Sequence, residues 1–401
     1  MSLVERQHRP AFGVLFVAFV LFGTSATVIG AALPRVLADF AWDYVAAGSV
    51  IAAGSVGYFL SAYAAGRMVD RIGFRAAMIA GLGLDALALL AFAATPSALL
   101  NGALYFLVGV GQGFIEVAVN WSIVKMAPER SGRPMSLMHG AFSIGAFAGP
   151  LATGAVIAGA IPWVYIYRAI GALFLVLLAV SCLIPVQGLE GGRPLPAHHR
   201  AHLHGEPAFW LGFIVLMLYV GVEMGLANWM SEFFVAGLGS TAAAGAFAVS
   251  VFWGGLLAGR FGVPLMVRGP RQERVLHTLG VILAAATFLL AMVGFTGGVP
   301  VAFAASALAG FGCSCIYPVA ISLVGEAFPE AQGEAMGFAS AGGGVGAFLF
   351  PLATAYVARS WGIRAGYAAF VPGALAVLAA GLLLSGAARR KRLLPGSALA
   401  P

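Results

Sequence analysis

Charge is scarce in this chain: Asp, Glu, Lys and Arg together make up 9% of its 401 residues, against 61% hydrophobic. So little charge cannot solvate the surface of a soluble domain of this length, which excludes that class. Cysteine is scarcer still. Cys182, Cys313 and Cys315 are the whole complement, and all three fall within apolar runs, so neither a disulfide framework nor a bound metal is expected. There is no phosphate-binding glycine loop, and no Ser-His-Asp set at useful spacing. These absences argue against an ATP-driven pump and against a membrane enzyme, and no cofactor is expected. The net charge of +7 has no folded basic domain to sit on, so nucleic acid is not an expected partner.

Apolar runs of membrane length fill the chain instead. A spanning helix needs roughly 20 apolar residues. Cutting at charges and turn residues gives runs near 11–32, 44–65, 74–94, 98–125, 135–159 and 163–185. Six more follow, near 208–235, 241–261, 275–295, 299–325, 335–358 and 366–387. Assigned to alternating loops, all but Arg35, Arg168, Arg359 and Arg364 of the 22 Lys and Arg lie on one side. The positive-inside rule then predicts an inner-membrane protein with both termini cytoplasmic. The first run follows Arg6 and Arg9 as a signal sequence would, yet it is too long and lacks a small-residue cleavage site, so it is expected to remain as the first span. Residues 186–207, with Pro194, Pro196, His198, His199, His202 and His204, read as an exposed cytoplasmic linker.

The two sets of six runs are copies of one another. Gly109, Gly111, Pro128, Met135, Gly145, Ala146, Phe147, Pro150, Leu151, Ala152 and Thr153 recur, each 201 positions later, as Gly310, Gly312, Pro329, Met336, Gly346, Ala347, Phe348, Pro351, Leu352, Ala353 and Thr354. The predicted fold is an all-α membrane protein of twelve transmembrane helices in two pseudo-symmetric six-helix bundles, 1–185 and 208–388, followed by a cytoplasmic tail, 389–401. Such repeats bind what they carry near the bilayer midplane. The expected partners are a small-molecule solute, protons and the lipid bilayer, and the expected state is a monomer.

Between the second and third runs lies Gly66-Arg67-Met68-Val69-Asp70-Arg71-Ile72-Gly73-Phe74-Arg75. Its glycines permit close helix approach and a tight turn. The segment resembles the signature loop of the major facilitator superfamily: a glycine, an Asp-Arg pair, then a glycine and a basic residue, on the cytoplasmic side. Gly66, Asp70, Arg71, Gly73 and Arg75 are therefore candidates for a conformational gate, with Asp70 the latch that accepts from arginines at a helix terminus. The corresponding second-half loop starts Ala258-Gly259-Arg260 but continues Phe261-Gly262-Val263-Pro264 without an aspartate, so the two gates are expected to differ in strength.

Of 15 acidic residues, only Asp85, Glu116 and Glu223 fall well inside predicted spans. A carboxylate placed there is expensive and a functional candidate by default. In the fourth run Gln112, Glu116 and Asn120 recur every fourth residue, which stacks three polar groups on one helical face. The string Gly109-x-Gly111-x-Gly113-x-x-Glu116-Val117-Ala118-x-Asn120 is similar to the fourth helix of the fucose, galactose and glucose proton symporters within the superfamily. That resemblance implies proton coupling at Glu116 and a cavity position for Asn120. Two positions depart from it: the first run, Phe22 to Gly30, has no carboxylate, and Trp121 follows Asn120 where a proline is expected. Thr24, Ser25 and Thr27 are then the hydroxyls available to a polar ligand from the first run.

The seventh run, Tyr219 to Trp229, resembles the start of the second bundle of related sugar-symporter-like proteins. Tyr219 and Glu223 share a face, whereas Asn228 joins them only if the glycines loosen the helix. Glu223 is a second proton-coupling candidate, and Tyr219, Glu223 and Asn228 are candidate substrate ligands. His139 in the fifth run, as a hydrogen-bond or proton partner of Glu116, and Trp253 and Tyr317, as cavity walls, complete the substrate set with Gln112 and Asn120. Arg168 either points inward, favouring an anion, or snorkels to the outer surface. Asp85 either pairs structurally or serves transport. The fifth-run glycines, Gly145, Gly149 and Gly154 with Pro150, partly resemble the antiporter motif of drug-exporting members.

The expected function is a proton-coupled symporter of a small polar solute, a sugar or sugar derivative; the alternative is a proton-coupled antiporter exporting amphipathic compounds. Replacing Asp70 with Asn is predicted to disturb the balance of inward and outward states, which accessibility labelling on both membrane sides measures; unchanged labelling on both would reject the latch.

Overall fold

A computed structural model describes residues 4–126, 132–184, 189, 203–266, 272–329 and 331–393. Among these every regular element is helical, and twelve stretches are long and apolar enough to cross a bilayer. In the first half they are Arg6–Phe40, Tyr44–Ala65, Arg71–Ala91, Ala98–Met126, Leu137–Ala158 and Val164–Leu183. The second half supplies Pro207–Gly237, Ala242–Val263, Gln272–Thr296, Val299–Ala327, Glu334–Ala368 and Phe370–Lys391. These are spans one to twelve below. Each overlaps one apolar run of the sequence, with helix ends that differ from it most at span eleven, which continues from 358 to Ala368.

Interruptions shape several spans, among them a break at Gly362, with a φ of 81°, inside span eleven. Spans two and three form one helical stretch, Tyr44–Ala91, broken only at Gly73, whose φ of 69° no other residue type adopts as cheaply. Span seven ends in a π-helical turn, Phe233–Gly237. Span ten divides into two helices, Val299–Cys313 and Ile316–Ala327.

The described residues group into two compact units. One gathers those within 1–196 together with 228–253, and the other those within 197–227 and 254–401. In the first unit, span one packs on span five and span four lies against the continuous helix of spans two and three. The tightest crossings occur where a backbone carbonyl occupies the volume of an absent Cβ: Gly57 faces the Phe106 carbonyl, Gly145 faces that of Val20, and Gly111 lies over Gly81 and Asp85. The second unit repeats this arrangement. Gly255 faces the Ala307 carbonyl, Gly346 that of Met217, and Gly312 the backbone of Leu283. The sequence repeat is thus a repeat of helix contacts, with small residues setting the spacing.

Two arginines serve helix ends. Arg168 donates to the carbonyls of Leu89 and Leu90 at the close of span three. It therefore satisfies orphan helix-terminal acceptors, a use that neither the inward nor the snorkelling expectation anticipated. Arg75 of the signature loop donates to the carbonyls of Cys182 and Ile184, at 2.7 and 2.9 Å, tying the loop to the end of span six. The Phe74 amide adds a bond of 3.0 Å to the Leu189 carbonyl. Arg71 is exposed, and the surroundings of Gly66 and of the Asp70 side chain lie outside the described residues.

Substituting Gly145 or Gly346 with Val forces a side chain onto a carbonyl. Each change is predicted to lower stability in detergent by about 1–3 kcal/mol or more, read as a drop in Tm. Gly13→Ala, which meets nothing within 4 Å, should leave Tm unchanged or slightly raised.

Candidate functional site

Each unit holds, at least partly buried, a glutamate that accepts a hydrogen bond from a tyrosine hydroxyl. In the first unit, span four presents Gln112, Glu116 and Asn120 on one face, as the four-residue spacing requires. Tyr58 of span two donates to Glu116 Oε2. One turn away, Gln112 Nε2 donates to Ser25 Oγ of span one at 3.0 Å, and Ser25 passes its own hydrogen to the Phe22 carbonyl. The Oδ1 atom of Asn120 is buried without a partner among the described residues.

Aromatic rings stand beside these groups. Phe22 meets Tyr58 at 6.3 Å and Phe142 at 5.0 Å between centroids, and Phe142 meets Trp253 at 6.1 Å. The Trp253 ring is buried, yet its indole N–H has no partner among the described residues. An unpaired buried donor and an unpaired buried acceptor are costly unless something else satisfies them. With a carboxylate, an amide and aromatic faces, they are suited to a ligand carrying hydroxyl groups on an apolar frame.

In the second unit Tyr219 donates to Glu223 Oε1 at 2.7 Å and also approaches the Cys313 carbonyl at 2.9 Å, at the break in span ten. A phenol has one hydrogen. Its one hydrogen is shared between the two acceptors, or goes wholly to the carbonyl when Glu223 carries a proton and donates it to the phenol oxygen. Tyr317 lies 6.4 Å from Tyr219 between centroids and donates to Ser340 at 3.1 Å. The charge of Arg260, near the end of span eight, acts on Glu223. A tyrosine orients a carboxylate without neutralising it, so each pair leaves a place where one proton can be exchanged.

Of the expected ligands and proton sites, Gln112, Glu116, Asn120 and Trp253 lie in the first unit, while Tyr219, Glu223 and Tyr317 lie in the second. Asn228 is buried and belongs to the first unit, although Glu223, five residues earlier on the same helix, belongs to the second. His139 is exposed, its ring edge-on to Phe19 at 5.9 Å. The hydroxyls of Thr24 and Thr27 turn back to carbonyls, Thr24 to Val20 and Gly145, Thr27 to Gly23 and Thr24; of the three expected hydroxyls only Ser25 meets a polar side chain. Asp85 is fully buried in span three, and both its carboxyl oxygens lack a partner among the described residues.

Sequence reasoning missed Tyr58 and the pair Tyr44 and Glu232. Tyr44 donates to Glu232 at 2.9 Å, and Glu232 is 6% exposed. Glu232 sits close to the end of its apolar run, where a carboxylate reads as a boundary.

Comparison with known proteins agrees with this architecture. A model of the Major Facilitator Superfamily matches residues 15–294 and 273–399. The glucose/galactose transporter of Brucella abortus biovar 1 (strain 9-941) is 29% identical over 231 residues, covering 51% of this chain and 54% of the relative; the chain thus spans about half that relative's length. Protein TsgA of Escherichia coli O17:K52:H18 (strain UMN026 / ExPEC) is 22% identical over 356 residues, 88% of each chain. The crystal structure of a D-xylose-proton symporter superposes with a TM-score of 0.78 over 94% of this chain and 97% of its own, at 16% identity, a likeness of fold.

Glu116→Gln keeps an acceptor for the Tyr58 hydroxyl and is expected to leave Tm near that of the parent. Glu116→Leu strands that hydroxyl and should cost about 1–3 kcal/mol, seen as a lower Tm in a detergent melt.

Proposed function

Because this chain belongs to the Major Facilitator Superfamily, we propose that it is a proton-coupled symporter that carries a sugar or sugar derivative by alternating access. Its two bundles, 1–185 and 208–388, move about a shared site, the linker 186–207 and both termini face the cytoplasm, and the protein works as a monomer in the inner membrane. The observation that carries this reading is Glu116, oriented by Tyr58, on the same helical face as Gln112 and Asn120.

The chemistry follows from that grouping. Amide groups at Gln112 and Asn120 and the unpaired Trp253 N–H supply donors and acceptors to hydroxyls, and Phe22, Phe142 and Trp253 supply flat apolar walls. Glu116 takes a proton when water reaches it from one side. The loss of its negative charge alters which state of the carrier is favoured, since a ligand shifts a two-state equilibrium by its differential affinity for the two states. Glu223, held by Tyr219, is a second proton site of the same kind. The relatives support the solute class: the Brucella protein is named a glucose/galactose transporter and the structural neighbour a D-xylose-proton symporter.

Reconstituted in liposomes, the protein should accumulate D-glucose, D-galactose or D-xylose above equilibrium when an inward proton gradient is imposed. Glu116→Gln should fill the liposomes only to the equilibrium level while counterflow exchange continues. Equal retention of accumulation and exchange would remove Glu116 from coupling. Export of an amphipathic dye, with no sugar uptake, would establish the antiporter instead.

A further inference from the structure

Asp85 stands apart among the acids of the first unit. Every other carboxylate with a described side chain there accepts a hydrogen bond, from the side chain of Gln7, Trp163, Tyr58 or Tyr44 or from the Ala46 amide. Asp85 is fully buried and accepts none among the described residues. A Cβ on Gly111 of span four would lie 3.0 Å from the Asp85 carboxyl carbon, and Gly171 of span six rests against the Ala86 carbonyl and Leu90. Asp85 therefore sits where spans three, four and six meet.

Two phenols accompany it. Tyr105 of span four is near enough to Asp85 for the charge of one to act on the other, and Tyr167 of span six stands in the same relation to Tyr105. Phe92 meets both rings, at 5.7 Å from Tyr105 and 4.7 Å from Tyr167 between centroids. The Tyr167 hydroxyl is buried and, like Asp85, has no partner among the described residues. Arg168, next to Tyr167 in the chain, is committed to the Leu89 and Leu90 carbonyls. The cluster leads towards the face of the unit where spans one and three end and spans four and six begin, opposite the signature loop. There the Tyr167 ring stands edge-on to Trp163 at 5.8 Å, and Trp163 donates to the exposed Asp39 at 2.7 Å. An ion buried without donors is far costlier than a neutral polar group, and a proton on Asp85 removes that charge. A hard metal cation would gather about six oxygens, more than one carboxyl and two phenols supply. A phenol both donates and accepts, so it is able to hand a proton on.

We propose that Asp85, with Tyr105 and Tyr167, is a proton-binding site of the first unit, filled from the face opposite the signature loop. A lone pair of the Asp85 carboxylate takes the hydrogen of a phenol, and that phenol regains one from the solvent side, so the carboxylate becomes a carboxylic acid and the phenols end unchanged. The site is separate from Glu116, which lies roughly 140° round span four from Gly111 and is served by Tyr58 of span two. It does not depend on which solute is carried.

Infrared spectroscopy of the full-length protein in nanodiscs tests this, with aspartate isotopically labelled at its carboxyl carbon. The chain's aspartates are Asp39, Asp43, Asp70 and Asp85, and Asp39 and Asp43 are exposed. Near neutral pH the protein should show a carboxylic-acid C=O band that shifts with the label, persists in Asp70→Asn and is lost in Asp85→Asn. In heavy water that band should move as the acid proton exchanges, about tenfold more slowly in Tyr105→Phe and in Tyr167→Phe, the effect of losing one hydrogen bond on the route. A spectrum with no label-sensitive acid band, or a band that survives in Asp85→Asn, would overturn the site. Exchange at the parent rate in both phenylalanine variants would overturn the part given to the phenols. If Asp85→Asn fails to fold, the labelled Asp70→Asn protein still assigns the band, because Asp85 is then its one buried aspartate. The spectra need no transported solute: a band present without sugar accumulation would count against the symport reading alone, and accumulation without the band against the Asp85 site alone.

Discussion

A carboxylate inside a helix bundle is costly unless a neighbour gives it hydrogen bonds, since the surrounding apolar side chains give none. The protein meets this constraint in the same way three times, with a tyrosine. Tyr58 serves Glu116, Tyr219 serves Glu223 and Tyr44 serves Glu232. A phenol suits such a position because it donates one hydrogen, carries no charge at ordinary pH, and brings an aromatic face that packs like any other apolar surface. An arginine in its place would fix the carboxylate as an ion and forbid it a proton. Asp85 is the contrast, because both its oxygens are buried without a partner among the described residues.

Around these pairs the helices are drawn together by glycine. Carbonyl oxygens of Val20 and Met217 sit where Gly145 and Gly346 would otherwise carry a Cβ, and Phe106 and Ala307 do the same opposite Gly57 and Gly255. With hydrocarbon on the outside, helix association gains little from hydrophobicity and relies on such close packing. The same contacts in both units give each the same internal framework, on which different polar residues are mounted: Gln112 and Asn120 in one, Tyr317 and Ser340 in the other.

Much of this was legible in the chain. Scarcity of charge marked the spans, the spacing of 201 between paired glycines marked the repeat, and the four-residue interval of Gln112, Glu116 and Asn120 was enough to place them on one face. Partners from other helices were not legible. Tyr58 is 58 residues from Glu116 and Tyr44 is 188 from Glu232, and no local periodicity connects residues so distant. Hydroxyls misled for a related reason: Thr24 and Thr27 look free in the bare sequence, but a helix always offers a threonine the carbonyl three or four positions back, and both accept that offer. Glu232 was hidden because a carboxylate near the end of an apolar run looks like a loop residue, whereas the π-helical turn carries the buried segment five residues further.

The interruption in span ten has one more implication. Where the helix stops at Cys313, its carbonyl is released from the ladder and faces the same phenol that orients Glu223. A hydrogen ion arriving at that glutamate would reverse the direction of donation between acid and phenol and commit the phenol's hydrogen to the carbonyl. Titration and the angle between two half-helices would then be mechanically joined through a single oxygen atom.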